Sequence, residues 1–134
     1  MSPRNAKLGR VIGTRRLEFR NAPRKKLVVT IGQPRRMKKH PDWECPFRIK
    51  GAGVDRFEFG YGVDSFQALT TALEGIRVLL DEIGELAWSG VFPDHTGVQR
   101  MIPLLPSISA RLERLVDREI SRHVSKLERR HGKR

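Results

Sequence analysis

The chain has 134 residues, 38 % of them hydrophobic and 31 % charged, with a formal net charge of +12 at pH 7. That length suits a single domain, 1–134, able to bury a core without staples, and periodic rather than scattered apolar residues exclude wholesale disorder. The basic N-terminus has no apolar segment behind it and no stretch approaches the roughly 18 uncharged apolar residues of a membrane span, so a soluble, cytoplasmic protein without a membrane partner is expected.

In chain order, residues 1–10 are expected to be flexible. From Ile12 to Tyr61 the apolar residues then alternate with period two. Leu17 and Phe19 mark a first strand; Leu27, Val29 and Ile31 mark a second after the turn signal Asn21-Ala22-Pro23-Arg24; Phe47 and Ile49 mark a third. Phe57, Phe59 and Tyr61 mark a fourth after Gly51-Ala52-Gly53. Connections this short favour hairpins, hence a four-stranded antiparallel meander, with Trp43, Phe47, Phe57, Phe59 and Tyr61 alternating as core residues do.

The period next becomes helical. Phe66, Leu69, Leu73, Ile76, Leu80 and Ile83 form a stripe, with Asp64 as N-cap, Gln67 at the capping-box position and Gly84 where a left-handed C-cap belongs. This helix is expected to cover one sheet face and make most of the core, with Leu86 and Trp88 closing an edge. Residues 91–106, rich in Gly and Pro, read as an irregular connection in which Met101, Ile102, Leu104 and Leu105 can pack. A last helix, 107–130, carries Ile108, Leu112, Leu115, Val116, Ile120, Val124 and Leu127 on one side. Arg111, Arg114, Arg118, Arg122 and Arg129 form a ridge on another, and the tail from His131 to Arg134 is expected to fray. The fold class is therefore α+β: a four-stranded meander with one long helix on a face, plus a C-terminal amphipathic helix.

Two stretches carry a resemblance, Trp43-Glu44-Cys45-Pro46-Phe47-Arg48-Ile49 and Gly62-Val63-Asp64-Ser65-Phe66-Gln67-Ala68-Leu69, with Ile31-Gly32-Gln33-Pro34 upstream. Together they resemble an uncharacterised family of small bacterial domains marked by W-x-C-P-x-x-I and G-V-D-x-x-Q-A-L. The likeness spans about residues 12–90; it implies the strand-rich region and its helix and implies no activity. Most of the basic residues lie outside its motifs.

Chemistry-bearing residues are sparse. Cys45 could act as a nucleophile with His40, His95, His123 or His131 as base, but nothing in the sequence pairs them, and a small thiol beside Trp43, Pro46 and Phe47 reads as packing. As the only cysteine it closes no intramolecular disulfide, in keeping with a reducing compartment. The histidines lack H-x-x-x-H spacing and there is no C-x-x-C, so neither a metal nor a cofactor is expected. Gly60-Tyr61-Gly62-Val63-Asp64-Ser65 has the strand-to-helix context of a phosphate loop without its third glycine, and Asp64 would repel an anion. A tight turn with a capping aspartate is the better reading.

Charge is the stronger clue. The first fifty residues hold 15 Lys and Arg against Glu18, Asp42 and Glu44, so the whole net +12 is concentrated there. Arg24, Lys25 and Lys26 precede the second strand, and Arg35, Arg36, Lys38 and Lys39 follow it. Seven strand residues at about 3.4 Å put roughly 24 Å between the clusters, beyond the roughly 8 Å screening length of physiological salt. One extended polyanion or acidic protein surface could bridge them. On the last helix Arg114, Arg118 and Arg122 form like-charge i,i+4 pairs, so Arg111, Arg114, Arg118 and Arg122 are further binding candidates. The expected function is a non-enzymatic binding module for an acidic protein partner, of toxin-neutralising or regulatory adaptor type. The alternative is sequence-independent binding of the nucleic-acid backbone, without an RNP-like or helix-turn-helix signature. A small enzyme is the least favoured reading.

Overall fold

The computed structural model describes residues 7–99 and 109–131, which fall in two compact units divided near residue 100. The first unit is an antiparallel sheet with one helix. Its elements are β1 (Val11–Phe19), β2 (Ala22–Gly32), β3 (Arg35–Arg36), β4 (Trp43–Gly51), β5 (Val54–Gly62), α1 (Ser65–Ile83) and β6 (Leu86–Trp88). The second unit holds α2 (Ser109–His131).

The four expected strands are β1, β2, β4 and β5, paired as a meander; the sheet gains two short members, β6 on the outer edge of β1 and β3 beside β4. Prolines explain the second addition. Pro34 has no N–H to donate, so the strand that would continue β2 breaks at Gln33-Pro34 and resumes as β3. Pro46 falls between the β4 residues that pair β2 and those that pair β3, where a missing donor costs no ladder bond. The first turn is Arg20-Asn21, so Arg24, Lys25 and Lys26 lie inside β2 rather than ahead of it. The β4–β5 hairpin turns on Ala52 at φ 47° and Gly53 at φ 83°, the two positive values a type I′ turn requires.

Residues 7–10, expected to be loose, are tied to the sheet. Gln33 donates its N–H to the Arg10 carbonyl at 2.8 Å, and the Leu8 carbonyl lies where a side chain on Gly32 would point. Residues 1–6 and the expected packing residues Met101, Ile102, Leu104 and Leu105 lie outside the described residues, as do 107, 108 and 132–134.

The core is formed by Leu17, Leu27, Val29, Cys45, Phe47 and Ile49 from one sheet face and Ala68, Ala72, Ile76, Leu79 and Leu80 from α1. Two expectations are corrected here. The buried stripe of α1 is turned away from Phe66 and Leu73: with Ala68 at 0° and about 100° per residue, the buried positions centre near 60°, whereas Leu73 falls near 140° and Phe66 near 160°. Phe66 is accordingly 76 % exposed and Leu73 only half-buried. The cause is close approach. A Cβ on Gly60 would lie 2.2 Å from the Ala72 amide nitrogen, and one on Gly62 would lie 2.4 Å from that of Ala68, so alanines rather than leucines face β5.

The second correction follows from register. Cys45 pairs Gly60 and Phe47 pairs Glu58, so Phe57, Phe59 and Tyr61 point to the other side of the sheet. There they form a ladder, Phe57 to Phe59 at 5.2 Å and Phe59 to Tyr61 at 6.1 Å between ring centres.

Asp64 caps α1 by accepting the Gln67 N–H at 2.8 Å, while Gln67 accepts from Val63 rather than from Asp64 itself. Gly84 adopts φ 141° and ψ −157°, a region open to glycine alone but not the left-handed helical one. In α2, Leu112 and Val116 are half-buried and Leu115, Ile120, Val124 and Leu127 are 41–55 % exposed.

Ile76→Ala should lower stability by about 2–5 kcal/mol through a cavity beside the sheet. Leu73→Ala should cost under about 1.5 kcal/mol, because less of that side chain leaves water on folding. Chemical denaturation of both variants checks the rotation of the helix.

Candidate functional site

The structure sorts the basic residues by whether they have a partner. Arg35 donates from Nε to Glu44 Oε1 at 2.9 Å and from Nη1 to the Lys7 carbonyl at 3.0 Å, with its guanidinium 5.7 Å from the Phe59 ring. Lys26 lies 3.5 Å from Glu18. These two are occupied within the fold. Among the described residues no carboxylate comes within ion-pair distance of Arg24, Lys25, Arg36, Lys38 or Lys39, and all five are exposed.

Arg36, Lys38 and Lys39 gather at one end of the sheet. Arg36 pairs Trp43 across β3 and β4, and Trp43 pairs Gly62 across β4 and β5, so the three stand in one row with two strand spacings, about 10 Å, between its ends. The Arg36 guanidinium lies 5.8 Å from the Trp43 ring centre. The loop beyond is closed by Met37 N–H donating to the Asp42 carbonyl and Asp42 N–H donating to His40 Nδ1, and Lys39 turns it with φ 62°. Arg36, Met37, Lys39, His40 and Pro41 enclose a shallow hollow.

Beside this row the chain leaves β5 and enters α1, and the residues that do so are apolar and exposed. Val63 is 73 % and Phe66 76 % exposed, and Tyr61, on the row behind, is 51 % exposed. Burying a Phe or a Val is worth about 1.5–3 kcal/mol, so large apolar groups left in water next to unpaired cations form a surface suited to contact. Sequence reasoning found the cations and assigned Phe66 and Tyr61 to the core. The signal it passed over is Gly60 and Gly62, whose parity marks the side of β5 on which the helix rests.

At the other end of β2, Arg24 and Lys25 form the second cluster, separate from the first as expected. Arg111, Arg114, Arg118 and Arg122 lie on α2, in the second unit, where Arg122 pairs Glu119 at 3.3 Å.

Cys45 is fully buried between β2 and α1, its thiol donating to the Gly32 carbonyl at 3.4 Å. Burial pushes the thiol up to about 11, with the Arg35 charge pulling weakly the other way, so it is protonated at neutral pH. Gly60 and Gly62 admit the helix backbone and Asp64 caps it, the roles expected of a tight turn. Among the described residues no three His, Cys, Asp or Glu side chains converge as metal ligands, and no helix is long and apolar enough to cross a membrane.

The family model for Domain of unknown function (DUF6968) matches residues 13–99, which takes in α1 and all of the sheet but the first two residues of β1, and the chain belongs to that family. Neither the curated proteins nor the solved structures contain a match to it.

The thiol generates a pH prediction. An unfolded chain loses the Cys45 proton from about pH 9 and the folded one holds it to about pH 11. The folded state therefore binds more protons across that window, and its stability falls as pH rises through it by about 1.4 kcal/mol per unit. The stability difference between the native chain and Cys45→Ala should shrink accordingly from pH 8 to pH 11, and alkylation of the folded protein at neutral pH should be slow.

Proposed function

We propose that the chain is a non-enzymatic binding module that engages an acidic protein partner, in a toxin-neutralising or regulatory adaptor role. The observation that carries this reading is the adjacency of two features at one end of the sheet: Val63 and Phe66, exposed by about three quarters, and Arg36, Lys38 and Lys39, which have no carboxylate partner among the described residues. Apolar anchors supply binding energy when a partner excludes water from them, and surrounding cations steer an oppositely charged surface into place. An aliphatic side chain such as Val63 contributes to a protein interface and offers nothing to a nucleic-acid backbone. Arg35 and Lys26, already neutralised inside the fold, are left out of the contact.

Binding to a nucleic-acid backbone is the second reading. It is favoured by the unpaired Arg24 and Lys25 at the far end of β2, which a single elongated polyanion would join to the Arg36–Lys39 cluster.

Phe66→Ala should leave the denaturation midpoint nearly unchanged and weaken partner binding by about 10-fold or more, as loss of an interface anchor does. Reversal of Arg36, Lys38 and Lys39 to Glu should chiefly slow association. The check is photocrosslinking from position 66 in a nuclease-treated lysate. Capture of an acidic protein that is lost with the charge reversal supports the proposal; crosslinks confined to nucleic acid, or unaffected by both changes, contradict it.

A further inference from the structure

On the sheet face turned away from α1, a hollow of about 420 Å³ is lined by Thr14, Arg16, Lys26, Leu27, Val28 and Ser89. Register accounts for the grouping. Arg16 pairs Val28 across β1 and β2, Thr14 and Lys26 occupy the neighbouring positions of the same face, and Ser89 is drawn alongside by its N–H donating to the Arg16 carbonyl at 3.1 Å. Val28 is half-buried on this face, whereas the Leu27 side chain belongs to the core on the other face.

Three properties of this hollow point the same way. Its polar side chains are donors: a guanidinium and two hydroxyls, with the Lys26 ammonium already held by Glu18. Arg16 has no carboxylate within ion-pair distance among the described residues, because the nearby acid, Glu18, holds Lys26 at 3.5 Å. The Ser89 hydroxyl oxygen is sealed from solvent and has no hydrogen-bond partner among the described residues. Native proteins satisfy such buried groups or use them, because an unmade hydrogen bond forfeits the desolvation already incurred. Donors arriving from β1 and the end of β6 suit a tetrahedral oxyanion better than a planar carboxylate, which one guanidinium already satisfies.

We infer that this hollow is a phosphate-binding site, with Arg16 as its principal donor, Thr14 beside it, and the Ser89 hydroxyl joining them once its side chain turns toward the ligand. It lies on the face opposite the Arg36–Trp43–Gly62 row, so the ligand and the proposed protein partner do not compete for the same residues. The phosphate group is free inorganic phosphate or the terminal group of a small phosphomonoester.

The test is an amide-shift titration of the full chain in phosphate-free, low-salt buffer, first with inorganic phosphate and then with a nucleoside monophosphate, with chloride at matched ionic strength as control. Saturable shifts at Thr14, Arg16 and Ser89 are expected with at least one phosphate. Tighter binding of the monophosphate assigns the site to phosphomonoesters, and equal or weaker binding assigns it to free phosphate. Arg16→Gln should lower affinity roughly tenfold or more, the scale of a hydrogen bond to a charged group. Ser89→Ala should raise the thermal midpoint without phosphate and reduce the further rise that phosphate gives. Shifts matched by chloride, no saturation with either phosphate, or affinity unchanged in both variants would overturn the inference.

Discussion

The approach of α1 to β5 governs the arrangement of the first unit. Gly60 and Gly62 have no side chain on the face toward the helix, and Ala68 and Ala72 answer them, so the helix backbone comes down onto the strand where any Cβ would collide. A leucine at either alanine position would hold the two elements apart. That contact fixes the rotation of α1 about its axis, and the rotation decides which apolar residues are buried: Ile76, Leu79 and Leu80 go in, and Phe66 stays out. Dense interiors transmit such constraints because few voids exist to absorb them.

The candidate surfaces are consequences of the same constraint. With the helix side of β5 given over to glycine, the aromatic residues of that strand line the opposite face, where Arg35 lies over Phe59 and Arg48 holds Asp55 in a double hydrogen bond. At the end of the strand the chain must turn at once into α1, which leaves Val63 and Phe66 in solvent beside the basic loop that Pro34 and β3 create. The proposed contact surface therefore arises where three local requirements meet: close helix packing, an immediate helix start and a broken strand.

Much of this was legible in the sequence. The period-two runs located β1, β2, β4 and β5, the Gly51-Ala52-Gly53 turn was recognisable, and Asp64 with Gln67 marked the start of α1. Parity was harder. Phe57, Phe59 and Tyr61 alternate as a core strand would, and only the register with β4, which no local pattern reports, sends them to the other face. The helix stripe misled for a related reason: Phe66 and Leu73 are the larger apolar groups, yet steric fit at Gly60 and Gly62 outweighed their hydrophobicity. Short strands such as β3 and β6 have too few residues to show a period. Partnering of the cations was invisible as well, since Arg35 finds Glu44 across a strand pair while Arg36, its neighbour, stacks over Trp43.

Gly60→Ala measures the governing contact most directly. Its backbone φ is ordinary, so the substitution adds one methyl group and little else, and that methyl would meet the Ala72 amide nitrogen and the Ala68 carbonyl at 2.2 and 2.6 Å. Gly13→Ala, with nothing within 4 Å, is the control. By denaturant titration the first should cost about 3 kcal/mol or more, through overpacking against rigid backbone, and the second should be nearly silent. Equal stability of Gly60→Ala and the unaltered chain would contradict the account, because the helix would then have room to settle on β5 without the glycine.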